Sequence, residues 1–311
     1  MMKDSIGIDI SKDHLDVYRL GTGAFAGFTN DPAGFAALKR WIGDRQPHLL
    51  VYEATGPYHG RFEQALAGKL PLVKVNPLQA RRFAQACGRR AKTDQVDARM
   101  LAQMGAALDL IADKPADEGQ DELKELQVAR TALVKDRTRL KNRLKTQTLA
   151  ITRRHTRARL AQVERQLEAL QDEIASRLKA SPKRARAYAI LQSIRGIGDV
   201  VAAAILIECP EIGTLDRKQA ACLAGLAPMT RQSGKWKGKA FIQGGRKFLR
   251  DALYMPALVA IRFNPDLKQK YQSMIKTGKP PKVALTAIMR KLIELANALI
   301  KADRMWKTKM A

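Results

Sequence analysis

Between residues 121 and 180 the chain contains neither glycine nor proline. So long a stretch without a backbone breaker commits to helix, and it divides the chain into a front part, a helical middle and a back part. Leu160, Val163, Leu167, Leu170 and Ile174 recur at alternating spacings of three and four, the seam of a coiled coil. Leu123, Leu126, Leu133, Leu140 and Leu144 follow a leakier version of the same rhythm. "AITRRHTRAR" interrupts it, so two helices folded back as a hairpin are expected. So narrow a seam needs a partner helix. The partner is either the other half of the hairpin or a second chain, and we favour a dimerisation arm. Pro182 ends the coil. The expected organisation is 1–115, 116–181 and 182–311.

Charge separates these parts further. The 311-residue chain carries 56 Lys and Arg against 30 Asp and Glu, a formal net charge of +26. The three parts carry net charges of +4, +5 and +17 in chain order. So basic a chain most often binds a polyanion, usually nucleic acid. Arg137 to Arg159 contains nine basic residues and no acidic one, so the coil is a second candidate contact. No apolar run reaches the roughly 20 residues of a membrane span. "MMKDSIGIDI" has no signal-peptide pattern, and a cytoplasmic protein, nucleoid-associated when active, is expected. Cys87, Cys209 and Cys222 are scattered and read as small buried thiols rather than a disulfide or zinc framework.

The front part reads as α/β. "SIGIDI" and "HLDVYRL" carry strand formers on either side of the tight turn "SKD", a hairpin. "GTGAF" reads as a loop. Asn30 or Asp31 caps a helix with Pro32 at its first position, and Phe35, Leu38 and Ile42 share one face. "HLLVYEA" and "LVKVNP" are further strands. "GPYHGRFEQALAGK" and "PLQARRFAQACG" are helices. The order β-β-α-β-α-β-α predicts a mixed sheet flanked by helices.

Four carboxylates stand out in it. Asp9 falls in a buried strand and Glu53 at the carboxyl end of another, where an acid is costly unless paired or metal-bound. Asp94 and Asp97 lie at i and i+3, one face of a helix. Such a set can hold two Mg²⁺ ions (or Mn²⁺) about 4 Å apart for phosphoryl transfer. Singly, each acid has a plainer reading: Asp94 a helix cap, Asp97 a partner of Arg99, Asp9 a turn residue. Asp13 and Asp16 compete for any metal role.

In the back part, "LQSIRGIGDVVAAAIL" places Gly196 and Gly198 between two helices, like the turn of a helix-hairpin-helix, with Arg195 beside them. Such a turn grips phosphate without reading sequence; G-x-G is also an ordinary tight turn. "MTRQSGKWKGKAFIQGGRKFLRDALYM" follows, basic, and Gly234, Gly238, Gly244 and Gly245 make its loops permissive. Trp236 can stack on a base or pack on the helix below. Ser233 has no histidine near it: the histidines are His14, His48, His59 and His155. It also lacks a G-x-S-x-G elbow, so acyl-hydrolase chemistry is excluded.

"GIDISKDHLDV", "YEATGPYH", "KTDQVDAR" and the "QSG" block resemble the signature blocks of the DEDD transposases of bacterial insertion sequences. These are bridge-RNA-guided recombinases whose acids sit on a ribonuclease-H-like domain of the RuvC type. The resemblance spans the whole chain. It implies Asp9, Glu53, Asp94 and Asp97 as the metal-holding quartet and Ser233 as the nucleophile, forming a covalent serine–DNA intermediate. It implies donor and target DNA and a structured guide RNA as partners. It also implies dimers and tetramers in which the site joins different subunits. By charge and position, Lys12, Arg89, Arg90, Lys92, Arg195, Arg231, Lys235, Lys237, Lys239, Arg246 and Lys247 are expected to hold nucleic acid. Two other readings stand beside this one. One is a Mg²⁺-dependent junction nuclease that uses water, and the other is a non-catalytic nucleic-acid scaffold.

Overall fold

The computed structural model describes residues 4–54, 56, 58–88, 94–113, 118–234 and 236–307, with the backbone alone at Asp94, Glu118 and Lys237. The chain forms two compact units, Met1–Asp117 and Glu118–Ala311.

The first unit contains β1 (Ser5–Ile10), β2 (His14–Arg19), β3 (Ala24–Thr29), α1 (Pro32–Ile42), β4 (Leu49–Glu53), α2 (His59–Leu66), β5 (Leu72–Val75), α3 (Pro77–Ala86) and α4 (Asp94–Ala107). Its sheet runs β3-β2-β1-β4-β5. β1, β2 and β3 form an antiparallel meander, and β4 and β5 join in parallel. Gly21–Gly23 form the expected turn, and β3 corrects the rest of "GTGAF", where Ala24 and Phe25 are strand. Ala24–Thr29 pairs along its length with β2. As an edge strand half open to solvent, it needs no continuous apolar run, so its signal is weak. α1 starts as expected, with Asp31 accepting from the Gly34 amide at 2.8 Å. That bond holds the Asp31 carboxyl below its usual range.

The sheet has two apolar faces. Ile6, Ile8, Leu15, Val17 and Tyr52 meet Phe35, Leu38 and Phe62 from α1 and α2. On the other face Val51, Val73 and Val75 meet Leu101 and Met104 of α4. Over β1 this second interface is made of small residues. A Cβ added to Gly7 would stand 1.9 Å from the Ala98 carbonyl oxygen and 2.4 Å from the Ala102 nitrogen. One added to Gly105 would stand 2.2 Å from Ser5 Oγ. The glycine of "GIDIS" is therefore where the helix backbone rests on the strand.

The second unit begins with α5 (Glu118–Thr146) and α6 (Ala150–Ala180), which pack as an antiparallel hairpin. Lys141–Glu164 at 3.1 Å and Arg177 with Glu122 tie the two helices together. The break falls at residues 147–149, and "AITRRHTRAR" lies inside α6, which corrects its reading as the interruption. A solvent-facing helix end keeps its hydrogen bonds without an apolar stripe, so loss of rhythm there did not mean loss of helix. The seam residues Leu160, Val163 and Leu170 are half-buried, and Leu167 and Ile174 buried.

Then follow α7 (Pro182–Ser193), α8 (Asp199–Glu208), α9 (Arg217–Leu223), β6 (Pro228–Met229), β7 (Gln232–Ser233), β8 (Trp236–Lys237), β9 (Phe241–Ile242), α10 (Lys247–Phe263), α11 (Pro265–Lys276) and α12 (Pro281–Lys301). Ile205, Ile207, Leu249, Leu253, Ile288 and Leu292 form the core, which takes in Leu123 of α5 and Leu178 of α6. The base of the helical hairpin is thus part of this core. Of the cysteines, Cys209 alone is buried, while Cys87 and Cys222 are exposed, correcting the expectation of three buried thiols. Cys87 ends α3, a helix with no buried residue, so solvent reaches it. Among the described residues, no helix is long and apolar enough to cross a membrane.

Candidate active site

The sheet register brings two of the four acids together. β1 and β4 pair in parallel with Ser5 opposite Leu49, Gly7 opposite Val51 and Ile8 opposite Tyr52. One further residue sets Asp9 beside Glu53 at the carboxyl ends of both strands. Paired residues of neighbouring strands share a face, and strands lie about 4.8 Å apart, so these two acids rise from one face of adjacent strands. The shared face is that of Gly7 and Val51, the one α4 covers. Open α/β sheets bind ligands at this edge, outside the carboxyl ends of strands where the chain switches direction.

α4 supplies the rest. Gly105 lies at Ser5 and Ala98 and Ala102 lie at Gly7, so α4 runs antiparallel to β1. At about 1.5 Å per helical residue and 3.3 Å per strand residue, its first turn, from Asp94 to Asp97, comes level with Asp9. Asp9, Glu53 and Asp97 are each half-buried. Asp16, cross-strand from Asp9, occupies the same face of the neighbouring strand. Arg99 lies over the Tyr18 ring at 5.8 Å, which puts a cation on that face too. Carboxylate oxygens are the groups a hard divalent cation takes. Among the described residues no group of three His, Cys, Asp or Glu is placed to hold an ion, and the Asp94 side chain lies outside them.

His59 stands apart. Its Nε2 is 3.7 Å from Glu63 Oε1, on the α2 side of the sheet, where Tyr52 also donates to Glu63 at 2.5 Å. Lys12 is exposed in the β1–β2 turn. Arg89, Arg90, Lys92 and Lys235 lie outside the described residues, as does the side chain of Lys237.

In the second unit, residues 228–242 form a two-stranded ribbon that sequence reasoning took for permissive loop. Pro228–Met229 pairs with Phe241–Ile242, the Gly238 amide donates to the Arg231 carbonyl at 2.9 Å, and Gln232–Ser233 pairs with Trp236–Lys237. Gly234 turns the chain at φ 54, the left-handed region that glycine favours. Ser233 is therefore the last residue before the tip, and it is exposed. No described residue from 227 to 248 is buried.

The ribbon's base is fixed at two points. Backbone meets backbone at Gly225 and Gly245, where a Cβ on either would fall 2.2 Å from the other strand. Arg246 makes a bidentate pair with Glu211 at 2.6 and 2.8 Å and donates to the Glu208 carbonyl at 2.7 Å. The guanidinium hydrogen bonds hold the Glu211 carboxyl below its usual range, and the carboxylate raises Arg246 in return. Arg246, expected to hold phosphate, thus already has its charge met inside the protein. Nothing in the sequence signalled this pairing across 35 positions. Lys239 and Lys247 are exposed, Lys247 ion-paired with Asp251. Gly196 has φ 101 and packs against α10, where a Cβ would meet the Pro256 carbonyl at 2.9 Å. Gly198 precedes α8 with open space around it, and Arg195 is exposed.

Comparison with known proteins supplies the frame for these features. Residues 6–152 match a DEDD transposase family model, and residues 188–272 match the model described as "Transposase IS116/IS110/IS902 family". The pilin gene-inverting proteins of Moraxella bovis and Moraxella lacunata are each 30% identical, over 98% of this chain and 98% of their own length. An insertion element IS110 protein of Streptomyces coelicolor is 29% identical over 49% of this chain and 37% of its own. One matched model covers the strand and helix acids and the other the serine ribbon. The chain belongs to the IS110 family of DEDD transposases, enzymes of DNA recombination.

Proposed function

We propose that this transposase cuts and rejoins DNA through a covalent intermediate on Ser233, directed by a structured guide RNA that pairs with donor and target. The observation that carries the reading is the position of Ser233: an exposed hydroxyl at the tip of a basic ribbon, in a chain with no histidine after His155. Ser233 Oγ bonds to phosphorus as one ester bond from phosphorus to a sugar oxygen breaks. The serine proton passes to a base, and the departing sugar oxygen takes one up. Asp9, Glu53, Asp94 and Asp97 would hold Mg²⁺. When bound, the ion neutralises charge on the phosphate and favours the serine alkoxide. Glu53 and Asp9 orient from rigid strand ends, and Gly7 lets α4 approach them with Asp97 in its first turn. The strand order β3-β2-β1-β4-β5 with the acids at the ends of β1 and β4 supports a ribonuclease-H-like domain of the RuvC type over 1–115. In this reading 116–181 is a coiled-coil arm for dimers and synaptic tetramers, and 182–311 the domain that presents the serine. The Moraxella relatives, named for gene inversion, fit the same cut-and-rejoin chemistry applied within one molecule.

The test is to incubate the full chain with DNA, its cognate guide RNA and Mg²⁺, then search for protein that stays on DNA through denaturation. The adduct is expected with the native chain and with Thr230→Ala, and absent with Ser233→Ala. An adduct that survives Ser233→Ala overturns the serine assignment. Cleavage with no adduct at any stage indicates the water-using nuclease instead.

A further inference from the structure

We infer that Trp236 stacks on the nucleobase next to the phosphate that Ser233 attacks, so that the ribbon engages an unstacked nucleotide rather than an intact duplex. The inference rests on the reading of Ser233 as nucleophile and adds to it a binding surface for a base.

Ser233 and Trp236 are direct cross-strand partners. Such partners project from the same face, with β-carbons about 5 Å apart. The hydroxyl and the indole therefore address the same ligand. The indole is also held open. Its outer ring runs along the strand over Gly238, where a Cβ would lie 2.5 Å from one ring carbon and 3.0 Å from another. Glycine at 238 leaves room for the outer edge of the ring, and Trp236 is 60% exposed. A large apolar plane left this open is costly.

A third group completes the face. Arg231 precedes Ser233 by two residues, so by alternation it points the same way, and its guanidinium stacks at 4.7 Å over the Phe241 ring. The face thus offers a plane for a base, a hydroxyl for a phosphorus and a fixed cation for the adjoining phosphate. A base inside a duplex hides its π-face against its neighbours, so an indole can cover it only after unstacking. Phosphate grip alone would be served by lysines and would need no open tryptophan.

Two measurements on the full chain test this. The first compares binding of a short oligothymidylate with a strand of equal length and charge whose bases are replaced by abasic sites. The native chain and Ser233→Ala should prefer the base-bearing strand by about 5- to 150-fold, the range that stacking gives per base. Trp236→Ala should lose that preference, Trp236→Phe should keep most of it, and Lys239→Ala should weaken both strands equally. A preference that persists in Trp236→Ala overturns the inference. The second places 2-aminopurine beside the phosphate to which the serine adduct maps. Its fluorescence should fall with the native chain and not with Trp236→Ala; equal quenching by both also overturns it. If the native chain shows the base preference but forms no serine adduct, the Ser233 reading fails and the stacking surface stands.

Discussion

Replacing Gly7 with alanine should drive helix backbone off the strand it rests on. The new carbon would lie 1.9 Å from the Ala98 carbonyl oxygen and 2.4 Å from the Ala102 nitrogen. A comfortable contact needs more than about 3.4 Å, so β1 and α4 must separate by over an ångström. The obstructing atoms are helix backbone and cannot rotate aside. Overpacking usually costs about 1–3 kcal/mol, and a backbone obstruction belongs at the top of that range. For a unit of this size each kcal/mol lowers the melting temperature by about 4–8 °C, so a fall of at least about 12 °C is expected. Gly27→Ala is the control, because nothing lies within 4 Å of its added carbon. Calorimetry of the full chain reads the shift, and hydrogen exchange assigns it to the amides of β1 and α4. The separation also carries Asp97 away from Asp9, so strand cleavage should fall even at temperatures where the variant is folded. Melting of Gly7→Ala indistinguishable from that of Gly27→Ala would show that α4 does not rest on β1.

Other perturbations separate chemistry from stability. Asp9→Asn and Glu53→Gln should each abolish strand cleavage while leaving the circular dichroism of the chain unchanged; retained cleavage in both would remove the acids from the mechanism. Glu211→Gln should cost about 1.5–3 kcal/mol at the ribbon's base, the worth of hydrogen bonds to a charged group. Because Arg246 lowers the Glu211 carboxyl, the clamp's contribution is fully present above the ordinary carboxylate pKa and is lost as pH falls through the lowered value. Exchange protection of the Arg246 amide should therefore persist through about pH 4.3 and open below it, a dependence that Glu211→Gln erases. Burial pushes the Cys209 thiol up to about 12. An alkylating reagent at pH 8 should label Cys87 and Cys222 and spare Cys209 until the chain unfolds, and equal labelling of all three by mass spectrometry would contradict the packing.

Much of the first unit was legible because its signals are local. Isoleucine-rich β1, the Asp31–Pro32 helix start and the apolar run Leu49, Leu50, Val51 before Glu53 each declare themselves within a few residues. β3 escaped because an edge strand with one open face carries little apolar pattern. The acid set was legible as residue types, but the alignment of Asp9 with Glu53 comes from a strand register across 44 positions, which no window of sequence contains. The ribbon was misread for a related reason. Its glycines signal permissive backbone, yet its pairing is held by the turn at Gly234 and by an anchor at Arg246 whose partner is Glu211. The coil's break was mislocated because a helix exposed to water needs hydrogen bonds and no seam.

The ribbon holds no described residue in the core from 227 to 248, so the second unit's stability and its reach are set by different residues. Substitutions along 228–242 are free to change what the ribbon presents, and at what angle, while the melting temperature stays where α8, α10 and α12 put it. The two-point anchor makes this separation useful: the ribbon can be rebuilt like a tool head on an unchanged handle, provided Gly225, Gly245 and the Arg246–Glu211 pair are kept.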